Sequence, residues 1–559
     1  MYDFGGLSSL LKSETSDNQT VDSELSILNS LSSMLNLLPG CIRDQRSGHV
    51  SNFAYCSLIP MQLQYYVQGN IGASDWESLY NYTKRIGELT LGEEPSESRL
   101  APHVLARIAQ LQDPTKPLFP FLHCLRILNT SPYLDFLHLF LSSALTTLQL
   151  TAISDDNPSY CSVLSFLESA IDQAPRISTF IGSGQIQDDI LGISLRYQNL
   201  RSLQLVDVGI SITGQLLQDI GSLQHLEEFE IVHSGTSPYA IPNTIPPTTS
   251  TSKKTPKRNS KTTMTKNFSP IALEQCHSPE PVEPVIDPPI LSTQVIDSQL
   301  FPVLQRLVVS GDISLIETLV TKVSSPYLWI LEIYFRKPPR ISTSEVESLI
   351  RHLQQKSGNS LTSVDLSTDT TTFSLPHEIF ECLLLCPDMK NLKISGMGID
   401  LMNSALNRLK EVADSKLEIL HLPIHPTAPD ISFTQLRSIA EACPHLKSFS
   451  CRFKHLADIP ISSPLSHQLK ELSAVNARAH PKHQALLDVA RCLDSIFPNL
   501  ESVNTYEESE NNAEQWRFIS DSVKLCQAIR KDDKERRLRL LDPLLGSDGP
   551  STLYFLSSS

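Results

Sequence analysis

Apolar residues recur along the chain in one register, apolar-x-x-apolar-x-apolar, separated by polar positions. Proline-led copies are FPFLHCLRI from Phe119, APRISTFI from Ala174, FPVLQRLVV from Phe301, SPYLWILEI from Ser325, CPDMKNLKI from Cys386, CPHLKSFS from Cys443 and FPNLESVNT from Phe497. Without the proline, the register returns at Ile86-Leu89-Leu91, Leu145-Leu148-Leu150, Leu200-Leu203-Leu205, Leu226-Phe229-Ile231, Leu361-Val364-Leu366 and Leu417-Leu420-Leu422. A degraded copy stands at Leu469-Leu472-Ala474, and the copy at Leu500-Val503-Thr505 is degraded in its third position. These make fourteen units whose starts lie 23 to 36 residues apart, except for one gap of 78 residues between Leu226 and Leu304.

The last two apolar residues of each unit alternate as a strand with one buried face does. Between strands the period lengthens to that of an amphipathic helix, as in ITGQLLQDIGSL (Ile212, Leu216, Leu217, Ile220, Leu223) and FTQLRSIAEAC (Leu436, Ile439, Ala440, Cys443). Proline cannot continue a helix and biases its predecessor toward extended geometry, so it ends each helix just ahead of the next strand. One strand and one helix per unit of this length is the leucine-rich-repeat arrangement. The predicted fold is therefore an α/β solenoid: a curved parallel sheet on the concave side, helices on the convex side.

The gap in the register is compositional. Residues 234–297 hold 11 prolines and 10 threonines with few large apolar groups, too little burial to offset ordering entropy, which predicts a disordered insertion inside a continuous array. Within it, the basic run at 253–261 (Lys253, Lys254, Lys257, Arg258, Lys261) has the form of a nuclear-import cluster or of a solvated linker, and Ser237, Thr255, Ser269 and Ser278 each precede proline, as proline-directed phosphosites do. The expected organisation is a degenerate or disordered 1–23, a helical cap at 24–85, repeats at 86–233 and 298–510, and a capping helix and tail at 511–559. In the last segment Trp516, Phe518, Ile519 and Leu525 are the candidates to cover the final repeat.

Composition narrows the function. A net charge of −15 argues against a general nucleic-acid binder, which needs basic residues in excess. No secretory signal opens the chain, PYLDFLHLFLSSALTTLQL is interrupted by Asp135 and His138, and the 11 cysteines form no dense framework. A cytoplasmic or nuclear monomer without a membrane span is expected. There is no phosphate loop, zincin motif, nucleophile elbow or Cys-x2-Cys pair, while Cys382/Cys386, His480/His483 and His421/His425 read as packing or surface residues. No enzyme activity, cofactor or metal is expected. What remains is the outward side of the strands, where the register places Glu228, Glu230, Glu332, Tyr334, Asp365, Lys393, His421, Arg452 and Glu471 as candidate contacts for a protein partner that is itself basic.

Two N-terminal stretches carry a resemblance. ELSILNSLSSMLNLLPG, ending in Leu37-Leu38-Pro39, followed by ASDWESLYNYTKRIGELTL with Asp75-Trp76, Tyr82 and Arg85, resembles the region after the F-box in the mushroom-type fungal F-box/leucine-rich-repeat proteins. The resemblance runs through the repeats to about residue 510. It implies a substrate receptor of a Skp–cullin–F-box ubiquitin ligase, with the repeats binding a target and the F-box docking on the Skp-type adaptor. The segment MYDFGGLSSLLKSETSDNQTVDS before Glu24 is too short for an F-box, so that element is expected to be missing or degenerate. The alternative is a repeat scaffold without ligase coupling, whose partners dock on the phosphorylatable 234–297 insertion.

Overall fold

A computed structural model of the chain describes residues within 72–233, 300–399, 416–453, 464–505 and 510–545, with short breaks, and three strands before residue 72. The chain divides into two units, Met1–Ser237 with Gln299–Ser559, and Pro238–Ser298. The insertion, its basic run and all four Ser/Thr-Pro positions lie outside the described residues.

The first unit is built on one parallel sheet of 15 strands whose spatial order is their chain order. Its strands are β1 (Ser26–Leu28), β2 (Ile86–Leu91), β3 (Cys124–Leu128), β4 (Thr147–Thr151), β5 (Thr179–Ser183), β6 (Ser202–Val206), β7 (Glu228–Val232), β8 (Arg306–Gly311), β9 (Ile330–Phe335), β10 (Ser363–Thr368), β11 (Asn391–Ser395), β12 (Ile419–His421), β13 (Ser448–Phe453), β14 (Glu471–Asn476) and β15 (Ser502–Asn504). Each of the fourteen sequence units forms one of β2–β15, so the chain is a leucine-rich-repeat solenoid. The register is unbroken across the insertion: Glu228, Phe229 and Glu230 of β7 stand opposite Arg306, Leu307 and Val308 of β8.

Why the fold repeats is visible in the buried set. The register triplets, such as Leu122, Leu125 and Ile127 or Leu328, Leu331 and Ile333, are shut from solvent in every turn but the last, where Val503 and Thr505 are only partly buried, and each fully buried large apolar side chain stabilises by about 1.5–3 kcal/mol relative to exposure. The residue before each register proline is buried too, from Phe119 to Phe497. From β3 to β14, one carbonyl ahead of the strand accepts two N–H groups from the next turn: His123 O from Thr146 and Thr147, Thr146 O from Ser178 and Thr179, and so on to Lys470 O from Glu501 and Ser502. Glu227 O receives Gln305 and Arg306 in this way, so the backbone ladder also spans the insertion.

Helices α1 (Ala73–Thr83), α2 (Pro102–Leu111), α3 (Tyr160–Gln173), α4 (Asp188–Ser194), α5 (Gly214–Gly221), α6 (Ile313–Lys322), α7 (Thr343–Ser357), α8 (His377–Leu384), α9 (Phe433–Ala442) and α10 (His483–Ile496) connect the strands, and α11 (Glu510–Leu545) closes the array. Sequence starts them where expected: the Thr213 hydroxyl accepts Leu216 N–H at 3.1 Å, and Ser432 with Gln435 forms a reciprocal capping box.

Two expectations about the ends change. The stretch 24–85 is not wholly helical: it contributes β1, which pairs with β2, and strands Cys41–Asp44 and Leu63–Val67 of a separate three-stranded sheet, before α1. Three residues of Ser-Ile-Leu are too few to separate a helical from an alternating pattern, and β1 gains backbone partners by covering the sheet edge. At the other end, α11 buries Trp516, Ile519 and Val523, whereas Phe518 and Leu525 face solvent. The helix phase favours the 516/519/523 face, 3 and 4 residues apart.

Candidate functional site

The sheet has a helix-covered face and an open face, and the pleat sends alternate residues of every strand to the latter. Register then arranges the open-face residues in rows. One row runs Ser202, Glu228, Arg306, Ile330, Ser363, Asn391, Ile419, Ser448, Glu471. The next runs Gln204, Glu230, Val308, Glu332, Asp365, Lys393, His421, Ser450, Ser473, and a third holds Val206, Val232, Ser310, Tyr334, Ser367 and Ser395.

Five of the nine candidate residues, Glu230, Glu332, Asp365, Lys393 and His421, therefore share the middle row. Glu228 and Glu471 stand in the first and Tyr334 in the third. Arg452 lies on β13 beyond the middle row and is 9 % exposed, with its guanidinium Nε 3.2 Å from the Asp430 carboxylate. It is a buried structural ion pair rather than an open contact, because the segment carrying Asp430 folds over the strand end.

Charges concentrate on β7–β11. Arg306 forks between two carboxylates, 3.0 Å from Glu332 and 4.0 Å from Glu230, and the Ser202 hydroxyl donates to Glu228 at 3.2 Å. Burial pushes the Glu230 carboxyl above its ordinary range, opposed by Arg306 and reinforced by Glu332 and Glu228. Burial likewise raises Asp365, against the pull of Lys393. Desolvation, with Lys393 beside it, lowers His421 and keeps the imidazole neutral. His421 Nε2 meets Ser448 Oγ at 3.2 Å, and Glu471 acts on the ring only at longer range. Without a carboxylate bonded to its other nitrogen among the described residues, this pair lacks the third group that orients a nucleophile's base.

Aromatic residues are exposed at the start of β9. Trp329 is 47 % exposed and Tyr327 is 60 % exposed, both just ahead of β9, and Arg336 stacks 5.5 Å over Tyr334 while lying 3.9 Å from Asp207. Arg306, Trp329 and Tyr327 were absent from the sequence candidates. The signal was present: the two residues between the first register positions are polar in nearly every unit, and Trp329-Ile330 is the one pair in which both are large and apolar.

The residues of the F-box-like resemblance occupy the N-terminal cap. The Asp75 carboxylate accepts Gly72 N–H at 3.0 Å, Trp76 and Tyr82 pack against the core, and Arg85 is exposed at the turn into β2. Cys382 and Cys386 sit on and just after α8, buried, with the Cys386 thiol pushed up to about 11 by desolvation, so neither is a reactive thiolate. No helix among the described residues is long and apolar enough to cross a membrane.

No protein-family model matches the chain, and no curated protein matches it. Among solved structures, the chain is similar to an internalin of Listeria monocytogenes (12 % identity, 79 % of this chain and 82 % of that one, TM-score 0.28). It is also similar to the yeast Rad7 and Elc1 complex (13 %, 68 % and 81 %, TM-score 0.35) and to a leucine-rich-repeat protein of Leptospira interrogans (11 %, 76 % and 91 %, TM-score 0.28). The assignment to the leucine-rich-repeat fold rests on the register and the carbonyl ladder described above.

Proposed function

We propose that this chain is a non-enzymatic protein-recognition module whose open sheet face holds its partner, and that it acts as a substrate receptor of a Skp–cullin–F-box ubiquitin ligase. The observation that carries the recognition reading is the half-buried Arg306–Glu332 pair on the open face, with Trp329 and Tyr327 exposed just ahead of β9 where that face begins. Trp, Tyr and Arg dominate binding energetics when they stand on a rigid surface, and parallel strands locked by a backbone ladder provide one. Coupling to a ligase is supported by the Asp75-Trp76, Tyr82 and Arg85 resemblance alone.

Affinity purification of the tagged full chain from its native cells, with quantitative mass spectrometry, tests both levels. Stoichiometric recovery of a Skp-type adaptor and a cullin supports the receptor reading; their absence while other partners persist overturns ligase coupling and leaves recognition standing. Partners should be lost from a Trp329→Ala chain and retained when 238–298 is replaced by a short Gly/Ser bridge, since β7 pairs directly with β8. The opposite pattern overturns the open face as the binding surface.

A further inference from the structure

The open face is not uniform. On β4–β6 its residues carry no charge, from Thr147 and Gln149 to Gln204 and Val206. From β7 to β11 the same rows hold Glu228, Glu230, Glu332 and Asp365 against Arg306 and Lys393, four carboxylates to two cations and a local excess of two negative charges. Glu332 and Asp365 are direct cross-strand neighbours, as are Asp365 and Lys393. Like charges placed opposite one another in a sheet are destabilising. Arg306 offsets Glu332 at 3.0 Å but reaches Glu230 only at 4.0 Å, and Glu230 stays desolvated without a closer cation among the described residues.

A second observation points the same way. Ser310, on β8 beyond Val308, is 3 % exposed, and its hydroxyl has no hydrogen-bond partner among the described residues. Alternation sends it to the same face as Arg306 and Val308, between Val232 and Tyr334. A buried hydroxyl without a partner costs about 1–3 kcal/mol, so a donor or acceptor arriving from outside is favoured there. Around the carboxylates, Val308, Ile330 and Tyr334 share the open-face rows and offer the apolar ground along which a lysine or arginine stem lies with its charged end on a carboxylate.

Resting on the recognition reading above, we propose that the partner docks as an extended segment that places a basic side chain, lysine or arginine, over Val308 among Glu228, Glu230, Glu332 and Asp365. The segment's polar backbone meets Ser310, and its stem packs beside Ile330. A carboxylate cluster already half stripped of water gives up less further hydration when a cation arrives, and the cation offsets the like-charge crowding that the folded chain carries.

The test uses fluorescein-labelled decapeptides of alternating threonine and lysine, threonine and glutamate, or threonine alone, titrated with the full chain and followed by anisotropy. The lysine peptide is expected to bind, more weakly as salt rises, and the other two to bind at least tenfold more weakly. A Glu230→Gln/Glu332→Gln chain should lose at least tenfold in affinity for the lysine peptide, and Ser310→Ala a few-fold. Glu168→Gln/Glu501→Gln, which removes the same charge elsewhere, should change it by less than twofold, with thermal melts showing that all variants fold. Equal loss in the two double variants reduces the effect to the net charge of −15 and overturns the proposal. If the lysine peptide fails to bind while native partners are recovered and are lost on Trp329→Ala, the basic occupant is wrong and recognition by this face stands. If Trp329→Ala leaves those partners in place as well, the recognition reading itself fails.

Discussion

Truncating Trp516 should unzip one end of the array rather than the whole of it. The indole is 2 % exposed and its ring lies 5.8 Å from Phe453 at the end of β13, which stacks at 5.1 Å on Phe433 of α9. Ile519 and Val523 complete the same buried face, while Arg530 binds Asp494 at 2.6 Å and donates to Pro498 O at 2.8 Å. Replacing a buried Trp by Ala costs about 3–5 kcal/mol. In a solenoid each repeat contacts only its neighbours, so the deficit falls on β13–β15 and α10 and fades within a few turns. Hydrogen–deuterium exchange followed by mass spectrometry should show amides in 448–504 exchanging about a hundredfold faster in Trp516→Ala, the factor that some 3 kcal/mol represents. Amides of β2–β7 should stay within twofold. Phe518→Ala and Leu525→Ala, on the solvent side of α11, should stay within about 0.5 kcal/mol of the parent. Equal acceleration at both ends would refute nearest-neighbour propagation, and no acceleration would refute the capping role of the ring.

Gly396, just after β11, has φ +71°, and a Cβ there would overlap the Thr368 carbonyl oxygen; Gly396→Ala should lower stability by at least about 1–3 kcal/mol in urea unfolding. Burial raises the folded-state pKa of Glu230 and Asp365, so their contribution to stability is fully present below the unfolded carboxylate pKa and is lost as pH rises through the folded one. Glu230→Gln should therefore melt higher than the parent at pH 7, with the advantage shrinking on acidification through the carboxylate range. Among the described cysteines, Cys161 is exposed and Cys526 partly so, while Cys443 and Cys451 are fully buried. Iodoacetamide labelling read by peptide mapping should modify Cys161 first and reach Cys443 and Cys451 only on unfolding.

What could be read from residues alone was whatever repeats. The register of Leu328-Leu331-Ile333 needs only period two and a fixed offset, and its recurrence removed the ambiguity a single copy leaves. Even Leu469-Leu472-Ala474, with its weak third position, formed a strand because its neighbours on both sides impose one. Glu332 and Asp365 were legible as open-face residues for the same reason. Properties that depend on an irregular segment were not: Arg452 has the alternation of a surface residue, and only the segment bearing Asp430 decides that it is enclosed. The choice between Phe518 and Trp516 on α11 was equally hidden, since it depends on helix phase against Phe453, about 60 residues earlier in sequence. Trp329 was readable, but only by comparing the polar gaps between register positions.

The seam between β7 and β8 has a practical meaning. The backbone ladder closes across it, and Phe229 stacks on Phe301 at 5.8 Å on the two sides. The strands are therefore held by their own contacts, whatever length of chain departs after Val232 and returns at Leu300. Closing a longer flexible loop costs little, about 0.6 kcal/mol for each doubling of its length. The seam is a socket: a fluorescent protein or a ligand-sensing domain could be grafted in place of 238–298 without disturbing the β7–β8 pairing, turning this repeat array into a carrier for an optical reporter.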